Sequence, residues 1–398
     1  ASTQIDVKTA KAALFPSLSF STSQQVVNRP YQETSSRVSG SEIISSNSKT
    51  SYNGNYGLNA SWTLYNGNKR LKTIQQEKLN NQVAELDVAT SENSIQESIA
   101  QIYIQILYAA ESVRVNENTL QVSIAQRDRG QELLNAGSIA KSDFAQLEAQ
   151  VSTDRYQLVT AQATLEDYKL QLKQLLELDG ENEMNVYLPA LSDENVLLPL
   201  PTKKDVYMSA LTLRPEIEAS KLSVEASELG IDIAKAGYLP TISLSAGIGT
   251  NHTSGSDFTF GEQVKNGWNN SIGLSVSVPI FNNRQTKSAV QKAKLQYETS
   301  MLSLLDEQKT LYKTIEGLWL DANSAQQRYA AANEKLKSTQ ISYELISEQF
   351  NLGMKNTIEL LTEKNNLLQA QQEQLQAKYM AILNMQLLKF YQGDQLAI

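Results

Sequence analysis

The chain has few side chains that could carry chemistry. It contains one histidine, His252, and no cysteine, which excludes thiolate chemistry and multi-histidine metal sites. His252 lies among Thr, Ser and Gly residues, a setting typical of a solvated loop rather than of a general base. We find neither a nucleophile–base set nor a Gly-rich phosphate loop. We therefore predict that the protein is not an enzyme and uses no cofactor or metal.

The charge of the chain disfavours a nucleic-acid partner. Among 398 residues, 35 Lys and Arg stand against 43 Asp and Glu, a formal net charge of −8. These charges are scattered, so no basic patch is available for a phosphate backbone. No apolar run is long enough to predict a transmembrane helix, and the polar residues 1–6 do not indicate a signal peptide.

The two halves of the sequence repeat one order of elements. ALFPSLSFS at 13–21 recurs as GYLPTISLS at 237–245. Each copy continues with a Ser/Gly/Asn-rich stretch, an alternating segment, a polar turn and a long tract rich in Gln, Ala, Leu, Lys and Glu. A single glycine, Gly137 or Gly353, interrupts each long tract near the same place. The chain is therefore a tandem duplication.

The long tracts show heptad periodicity. Apolar and small residues recur with alternating spacings of three and four, which predicts left-handed coiled coils. Asp154 is the one polar member of the seam after Gly137. Residues 69–135 contain no proline and predict a rod of roughly 100 Å at 1.5 Å per residue. Gly137 and Gly353 would each form the tip of an antiparallel helical hairpin, with Ser142 as the N-cap of the returning helix. The seams lie at 95–113, 144–175 and 315–350.

Four shorter segments alternate apolar residues with Ser, Gly, Thr and Asn. Period two predicts strands with one apolar and one polar face. A soluble sandwich has the same period, but small polar residues in place of Lys and Glu favour a polar lumen and a lipid-facing exterior. Trp62 and Trp268 are candidates for an aromatic belt at the membrane interface, although core packing explains them equally well. The strands are predicted at about 17–27, 54–65, 241–250 and 269–281.

The number of strands has a consequence for assembly. A sheet in hydrocarbon must close because its edges cannot remain unpaired, and closed barrels begin at about eight strands. The chain has four candidate strands, so several copies must share one barrel. The same symmetry would bundle the helical hairpins into a tube.

This order of elements resembles the TolC-type outer-membrane efflux duct family of Gram-negative bacteria, the outer membrane factors. LFPSLS at 14–19, YLPTIS at 238–243 and the strands, long helices and Ala-Gly tip that follow carry the resemblance. It implies a mainly α fold with membrane β, in which a homotrimer shares a twelve-stranded barrel and a coiled-coil periplasmic tunnel. It also implies passive multidrug export or secretion through the outer membrane, with a periplasmic adaptor (membrane fusion) protein and an inner-membrane transporter of RND or ABC type.

The resemblance implies two structural repeats, 1–201 and 202–398. The first lacks a counterpart of the helix predicted in the second, so a missing N-terminal helix and a lipid anchor are left open. The remaining predicted elements are a hairpin at about 68–178, an equatorial segment at 179–201, a helix at 203–237, a second hairpin at about 284–390 and a C-terminal equatorial segment at 391–398.

A periplasmic gate is implied beyond the second tip. The family closes its tunnel with acidic side chains six and nine residues after the tip glycine, where this chain has Glu359 and Thr362. Lys355 stands where the family often has Arg, and Asp143 where it has Asp. A ring of Glu359 would favour cations, and a Lys355–Asp143 bridge between hairpins would hold the tip shut by about 0 to 1 kcal/mol. As ordinary residues at helix starts, Asp143 and Glu359 need no gate role.

The hairpin tips are predicted contacts for the adaptor. Gly137, Ser138, Gly353 and Met354 would let another helical hairpin approach closely, although the role of helix stop already explains the glycines. The alternative function is a soluble antiparallel coiled-coil scaffold. The sequence does not indicate the cargo, because a wide lumen lined by Ser, Asn and Gln need not recognise it.

Overall fold

The structure is a computed structural model that describes residues 1–31, 35–39, 42–46, 49–178, 185–189 and 196–396. Its elements are α1 (Ser2–Ala12), β1 (Ser17–Asn28), β2 (Ser35–Ser39), β3 (Glu42–Ser46), β4 (Thr50–Asn66), α2 (Lys69–Asn135), α3 (Lys141–Leu175), α4 (Lys203–Leu213), α5 (Pro215–Lys235), β5 (Thr241–Thr253), α6 (Phe260–Asn266), β6 (Asn269–Ser277), α7 (Gln285–Asn351) and α8 (Thr357–Gln392).

The chain divides into two compact units, each built from two separate stretches of sequence. The first contains residues 1–85 and 219–304, and the second contains 86–218 and 305–398. Each unit contains residues from both predicted repeats. The repeat boundaries remain a prediction about the sequence.

One antiparallel sheet with strand order β1-β4-β5-β6 dominates the first unit. Leu58 of β4 lies beside Phe20 of β1 and Ile248 of β5, and the next residue, Asn59, lies beside Ser19. Because successive side chains point to opposite faces, the sheet has one apolar face and one face of Ser, Gly and Asn. The period-two prediction is confirmed. Exposed members of the apolar face include Leu18, Phe20, Ile272, Leu274 and Val276.

The strand limits differ from prediction by more than one residue in three places. β5 continues to Thr253 instead of ending at about 250. β4 begins at Thr50, several residues before the predicted start, and β6 ends at Ser277 rather than at 281. Pro279 explains the early end of β6, because proline has no N–H to donate to a ladder. The Ser/Gly/Asn-rich stretches noted in the sequence also hold structure, since β2 pairs with β3 in the first and α6 lies in the second.

The prediction that His252 lies in a solvated loop is wrong. His252 belongs to β5 and lies opposite Gly54 of β4. Its ring centroid is 5.2 Å from that of Tyr52, 5.8 Å from that of Tyr56 and 5.1 Å from that of Phe260. A Cβ atom at Gly54 would collide with the imidazole, so the glycine leaves the space in which the ring lies. The surrounding Thr, Ser and Gly residues belong to a strand with a small polar face.

Both predicted helical hairpins are present. The tip residues Gly137 (φ +73°) and Gly353 (φ +74°) adopt the left-handed conformation that glycine enters without a Cβ penalty. The predicted N-cap Ser142 is wrong, because α3 begins two residues earlier than that cap implies, with Ala140 at its N-cap. Alanine has no capping side chain. The carboxylate of Asp143 instead accepts a hydrogen bond from the Ala140 N–H at 3.3 Å.

Proline divides the helix predicted at 203–237. It lacks an N–H and disfavours helical geometry in the residue before it. Accordingly α4 ends at Leu213, Arg214 is extended with ψ 125°, and α5 starts at Pro215. A short 3₁₀ turn at 236–238 follows α5.

The equatorial segments are only partly described. Residues 179–184, 190–195 and 397–398 lie outside the described residues. The C-terminal segment predicted from 391 is wrong in its first two residues, because α8 continues to Gln392. It ends at Gly393, which has a φ of +102°.

α8 supplies much of the core of the second unit. One cluster joins it to α4 and α7, and another joins it to α2. None of the helices in the described ranges combines the length and apolarity that crossing a bilayer requires. Buried core residues include Val206, Ala210, Ile315, Ala322 and Leu388 in the first cluster and Ile104, Leu107, Tyr379 and Leu383 in the second.

We predict that Gly54→Val destabilises the sheet by about 1–3 kcal/mol, because the new side chain and the His252 ring cannot occupy the same space. The cost should be smaller in a His252→Ala background, where the ring is absent. Both costs can be measured from the loss of the β-sheet circular dichroism signal on heating in detergent. Gly261→Ala is the control, since no atom lies within 4 Å of the added Cβ. Equal destabilisation by Gly54→Val in the native and His252→Ala backgrounds would contradict the collision with His252 as its cause.

Candidate functional site

The second hairpin tip begins α8 with a complete capping box. The Asn356 side chain accepts a hydrogen bond from the Glu359 N–H at 2.9 Å, and the Glu359 carboxylate accepts one from the Asn356 N–H at 3.2 Å. Lys355 Nζ donates to the same carboxylate at 2.5 Å. The hydrogen bond from Lys355 has the largest effect on the pKa of Glu359, and the bond from the Asn356 N–H adds to it. Together they hold this pKa below its ordinary value. Glu359 is therefore a fixed negative charge at neutral pH.

The predicted gate residues occupy both tips. Within one chain Lys355 pairs with Glu359, while Asp143 bonds to the start of its own helix. A bridge between Lys355 and Asp143 of neighbouring hairpins remains a prediction. Thr362 donates its hydroxyl to the carbonyl of Ile358 at 2.8 Å, and both residues line a shallow groove between α8 and α3.

The predicted adaptor contacts are accessible in the chain. A Cβ atom at Gly137 or Gly353 would meet no atom within 4 Å, and the Met354 side chain is 71% exposed. Ser138 is also exposed. Their contact with an adaptor remains a prediction.

A buried ion pair joins the two hairpins some distance from the tips. Lys364 of α8 lies against Asp154 of α3 and Ser123 of α2, and the side chains of Lys364 and Asp154 are only 4% and 2% exposed. Gln150 donates to the second oxygen of Asp154 at 2.9 Å. The polar seam residue thus has its charge partner on the other hairpin.

Burial and pairing act in opposite directions on Lys364. Desolvation lowers the pKa of its ammonium group, and the hydrogen bond to Asp154 opposes this effect. Such a pair contributes little net stability relative to apolar residues, but removing one partner leaves an uncompensated charge. We infer that the pair selects the packing arrangement in which α2, α3 and α8 meet at this level.

The sequence analysis did not identify Arg214, which anchors the break between α4 and α5. Its guanidinium lies 3.1 Å from Glu97 of α2 and 2.8 Å from Glu216, and its Cζ lies 4.1 Å from the centre of the Tyr391 ring. Burial, with Glu97 nearby, raises the pKa of Tyr391 to about 12. An arginine directly before a helix-breaking proline was the available signal, but its partners are distant in sequence.

Aromatic residues lie toward both ends of the apolar sheet face. Trp62 pairs with Leu244 on that face, and its indole N–H donates to the Leu14 carbonyl at 2.7 Å. Trp268 directly precedes β6, is 57% exposed and continues the alternation of Ile272. A membrane-interface role for these tryptophans remains a prediction.

Acidic residues in the described part of the chain do not form a metal site. No group of three or more His, Asp or Glu side chains among those residues could hold a metal ion. The charged groups that the structure brings together instead form ion pairs between helices, along single helices or at helix starts.

We predict that Lys364→Met lowers the free energy of unfolding by about 3–5 kcal/mol, because it leaves the Asp154 carboxylate buried without its cation. The double variant Lys364→Met/Asp154→Leu should recover most of the loss. Chemical denaturation in detergent measures both. The matched control is Lys335→Met, which breaks a pair with Glu373 whose partners are 45% and 42% exposed and should cost about 0 to 1 kcal/mol. Equal losses of stability in Lys364→Met and Lys335→Met would refute the distinction between the buried and the exposed ion pair.

Comparison with known proteins agrees with these observations. The profile of the family described as outer membrane efflux protein matches residues 1–177 and 206–393. Outer membrane efflux protein BepC of Brucella suis is 24% identical over 72% of this chain and 60% of its own length. Outer membrane protein TolC of Escherichia coli is 24% identical over 76% of this chain and 62% of its own. The alkaline protease secretion protein AprF of Pseudomonas aeruginosa is 22% identical over 74% of the chain and 61% of its own length. The chain thus spans about three fifths of the length of these relatives.

Solved structures share the fold. A structure of CusC, described in connection with transmembrane channel formation, has a TM-score of 0.81 at 19% identity and covers 99% of this chain and 87% of its own. The CmeC outer membrane channel of Campylobacter jejuni has a TM-score of 0.77 at 18% identity and covers 100% and 82%. These likenesses confirm the predicted fold class. The profile match over almost the whole chain establishes that this outer-membrane protein belongs to the outer membrane efflux protein family.

Proposed function

We propose that three copies of the chain form a channel-tunnel, the passive exit duct of a tripartite efflux or type I secretion system. The observation that carries this proposal is the four-stranded sheet. It has an exposed apolar face, a face of Ser, Gly and Asn, and two edge strands, β1 and β6.

The sheet edges require neighbouring copies. Edge N–H and C=O groups cannot remain unpaired in hydrocarbon, so β6 of one copy pairs with β1 of the next. Four antiparallel strands alternate in direction, so β6 runs opposite to β1 and the copies continue an antiparallel barrel. Two copies would reach the minimum of about eight strands. The family resemblance supports three copies and twelve strands.

The exposed apolar face argues against the soluble scaffold. Ile272, Leu274 and Val276 of β6 are 79%, 65% and 59% exposed. Contiguous apolar surface of this kind marks a protein or membrane contact. Lipid fits it because the opposite face, which becomes the lumen, is small and polar.

The tips supply the periplasmic entrance. Glu359 of three copies forms an acidic ring, with Lys355 beside each carboxylate, and Thr362 and Asp143 complete the predicted gate. Gly137, Ser138, Gly353 and Met354 contact a periplasmic adaptor, which connects the duct to an inner-membrane transporter of RND or ABC type. The function is transport, with no chemical step.

We predict that Leu274→Arg reduces insertion into the outer membrane, because a charged side chain on the lipid face costs about 2–4 kcal/mol at the bilayer midplane and less toward the interfaces. Ser275→Arg, one residue along on the polar face, is the matched control and should insert normally. The measurement is the amount of the protein recovered in outer-membrane fractions. The soluble-scaffold alternative predicts that Leu274→Arg is harmless and that the native chain fractionates without detergent.

We also predict that Glu359→Gln reduces the cation selectivity of single channels in planar bilayers, because it removes the negative ring. In the native protein, selectivity should fade as acid protonates Glu359. In Lys355→Ala that loss should begin at higher pH, because the pKa of Glu359 returns toward its ordinary value of 4.5. Repulsion among the Glu359 carboxylates acts in both the native protein and Lys355→Ala. The difference between the two proteins in the pH of selectivity loss therefore measures the effect of Lys355. Unchanged conductance and selectivity in both variants would remove the gate assignment.

A further inference from the structure

Basic residues are concentrated at one end of the sheet. Asn66 at the end of β4 pairs with Thr241 at the start of β5, and Thr241 pairs with Ser277 at the end of β6. β1 also starts at this end, where α1, α2, α5 and α7 adjoin the four strands. The ten residues of each chain segment next to these strand ends contain eight Lys and Arg in total and one acidic residue, Asp232. The whole chain has a formal net charge of −8, so this excess of positive charge is local.

The opposite end of the sheet has no such excess. The ten residues of each chain segment next to those strand ends contain four basic and four acidic residues in total. They are Arg29, Arg37, Lys49 and Lys265 and Glu33, Glu42, Asp257 and Glu262. The positive charge is therefore a property of the end that adjoins the long helices, and not of strand ends in general.

Most of the cations at the first end have no acidic partner. The carboxylate of Asp232 lies 3.3 Å from Lys72 Nζ and 3.1 Å from Lys235 Nζ, so two lysines share one negative charge. The other six basic residues form no ion pair with any residue in the ranges that the structure describes, and five of them are exposed. We call these six residues the basic collar, which consists of Lys8, Lys11, Lys69, Arg70, Arg284 and Lys287.

Arg70 shows where the basic collar begins relative to the apolar face of the sheet. Its guanidinium donates to the carbonyl of Ala13 at 2.9 Å, and the indole of Trp62 donates to the next carbonyl, that of Leu14, at 2.7 Å. Trp62 lies on the apolar face, and carbonyl groups carry no net charge, so Arg70 is a cation without a counter-ion beside this tryptophan. An apolar strand, an indole and then a cation follow the order of hydrocarbon, interface and headgroups in a bilayer.

We propose that the basic collar binds the anionic headgroups of phospholipids in the periplasmic leaflet of the outer membrane. This inference rests on the membrane duct proposed above and names the class of lipid that its base contacts. Lys and Arg close to a membrane surface attract anionic lipids, and neighbouring cations act together over a screening length of about 8 to 10 Å. Zwitterionic headgroups have no net charge and would gain little from an excess of cations.

The spread of the basic collar favours a lipid surface over a single bound anion. Its members come from α1, from α2 and from the start of α7, rather than from one loop. A polar cleft of about 690 Å³ lies at this end of the sheet, but of the collar residues, all of which the structure describes, only Lys69 lines it. A discrete phosphate site needs several donors that converge on one point. Headgroups form a layer that each side chain can reach separately.

Spin-labelled lipids test the proposal in vesicles of phosphatidylcholine that contain the full chain. We expect the protein to immobilise spin-labelled phosphatidylglycerol about threefold more strongly than spin-labelled phosphatidylcholine at low ionic strength. This preference should fall toward parity in about 0.5 M NaCl, because salt screens the collar. The variant Lys11→Gln/Lys69→Gln/Lys287→Gln removes three of the six collar charges and should lose about half of the preference. Equal association of the native protein with both lipids would overturn the proposal.

Two controls separate the collar from other effects of charge. Arg29→Gln/Lys49→Gln/Lys265→Gln removes three positive charges from the opposite end of the sheet and should keep the native preference. Equal losses in the two triple variants would reflect net charge and overturn the assignment to the collar. Inorganic phosphate should compete no better than NaCl at the same ionic strength. Stronger competition by phosphate would indicate a discrete anion site and overturn the lipid assignment.

Insertion and conductance distinguish failure of this inference from failure of the proposed function. Both triple variants should insert and conduct in planar bilayers, because none of the substituted residues lies in the four-stranded sheet. A native protein that conducts but does not prefer phosphatidylglycerol would refute only this inference. A native protein that neither inserts nor conducts would refute the duct itself, and the lipid contact with it.

Discussion

Hydrogen bonding at the edges of the sheet is the constraint on which the proposed assembly depends. β1 and β6 end the sheet, and lipid offers their backbone groups no partner. An even number of antiparallel strands lets identical copies supply that partner, because the last strand of one copy runs opposite to the first strand of the next. Duplication of a two-stranded unit gives this even number directly. The exposed apolar face, which would be a liability in a water-soluble monomer, then becomes the surface that lipid covers.

The charged contacts of the helical hairpins differ in energy according to burial. Lys364 and Asp154 are almost fully buried where α3 and α8 meet, so separating them exposes an uncompensated charge inside the protein. Lys355 and Glu359 form an exposed pair at the tip, where water competes for both groups. Helix packing is thus specified away from the tip, while the contacts at the tip can change at low energetic cost. A gate needs this combination, since the entrance must move without loss of the helical packing above it.

Local patterns predicted most of the fold, and non-local contacts account for what they missed. Period two, heptads and the glycines at the tips act through neighbouring residues, so the sheet faces and hairpins could be predicted. His252 was misassigned because the small polar residues around it suit a loop and the polar face of a strand equally. Asp154 was visible as a polar seam position, but its partner Lys364 lies on a helix that only the fold brings close. Arg214 was missed for the same reason, since Glu97 and Tyr391 are far from it in sequence.

The two tips show where the duplicated halves have diverged. Both have a left-handed glycine, and both place an acidic residue at the third position of the returning helix. In the first tip Asp143 bonds to the N–H of Ala140, which has no side chain to complete the capping box. In the second, Asn356 completes the box and Lys355 adds an ion pair to Glu359. At the turns themselves, the second tip therefore adds an ion pair to its capping box, whereas the start of α3 relies on the single bond between Asp143 and Ala140.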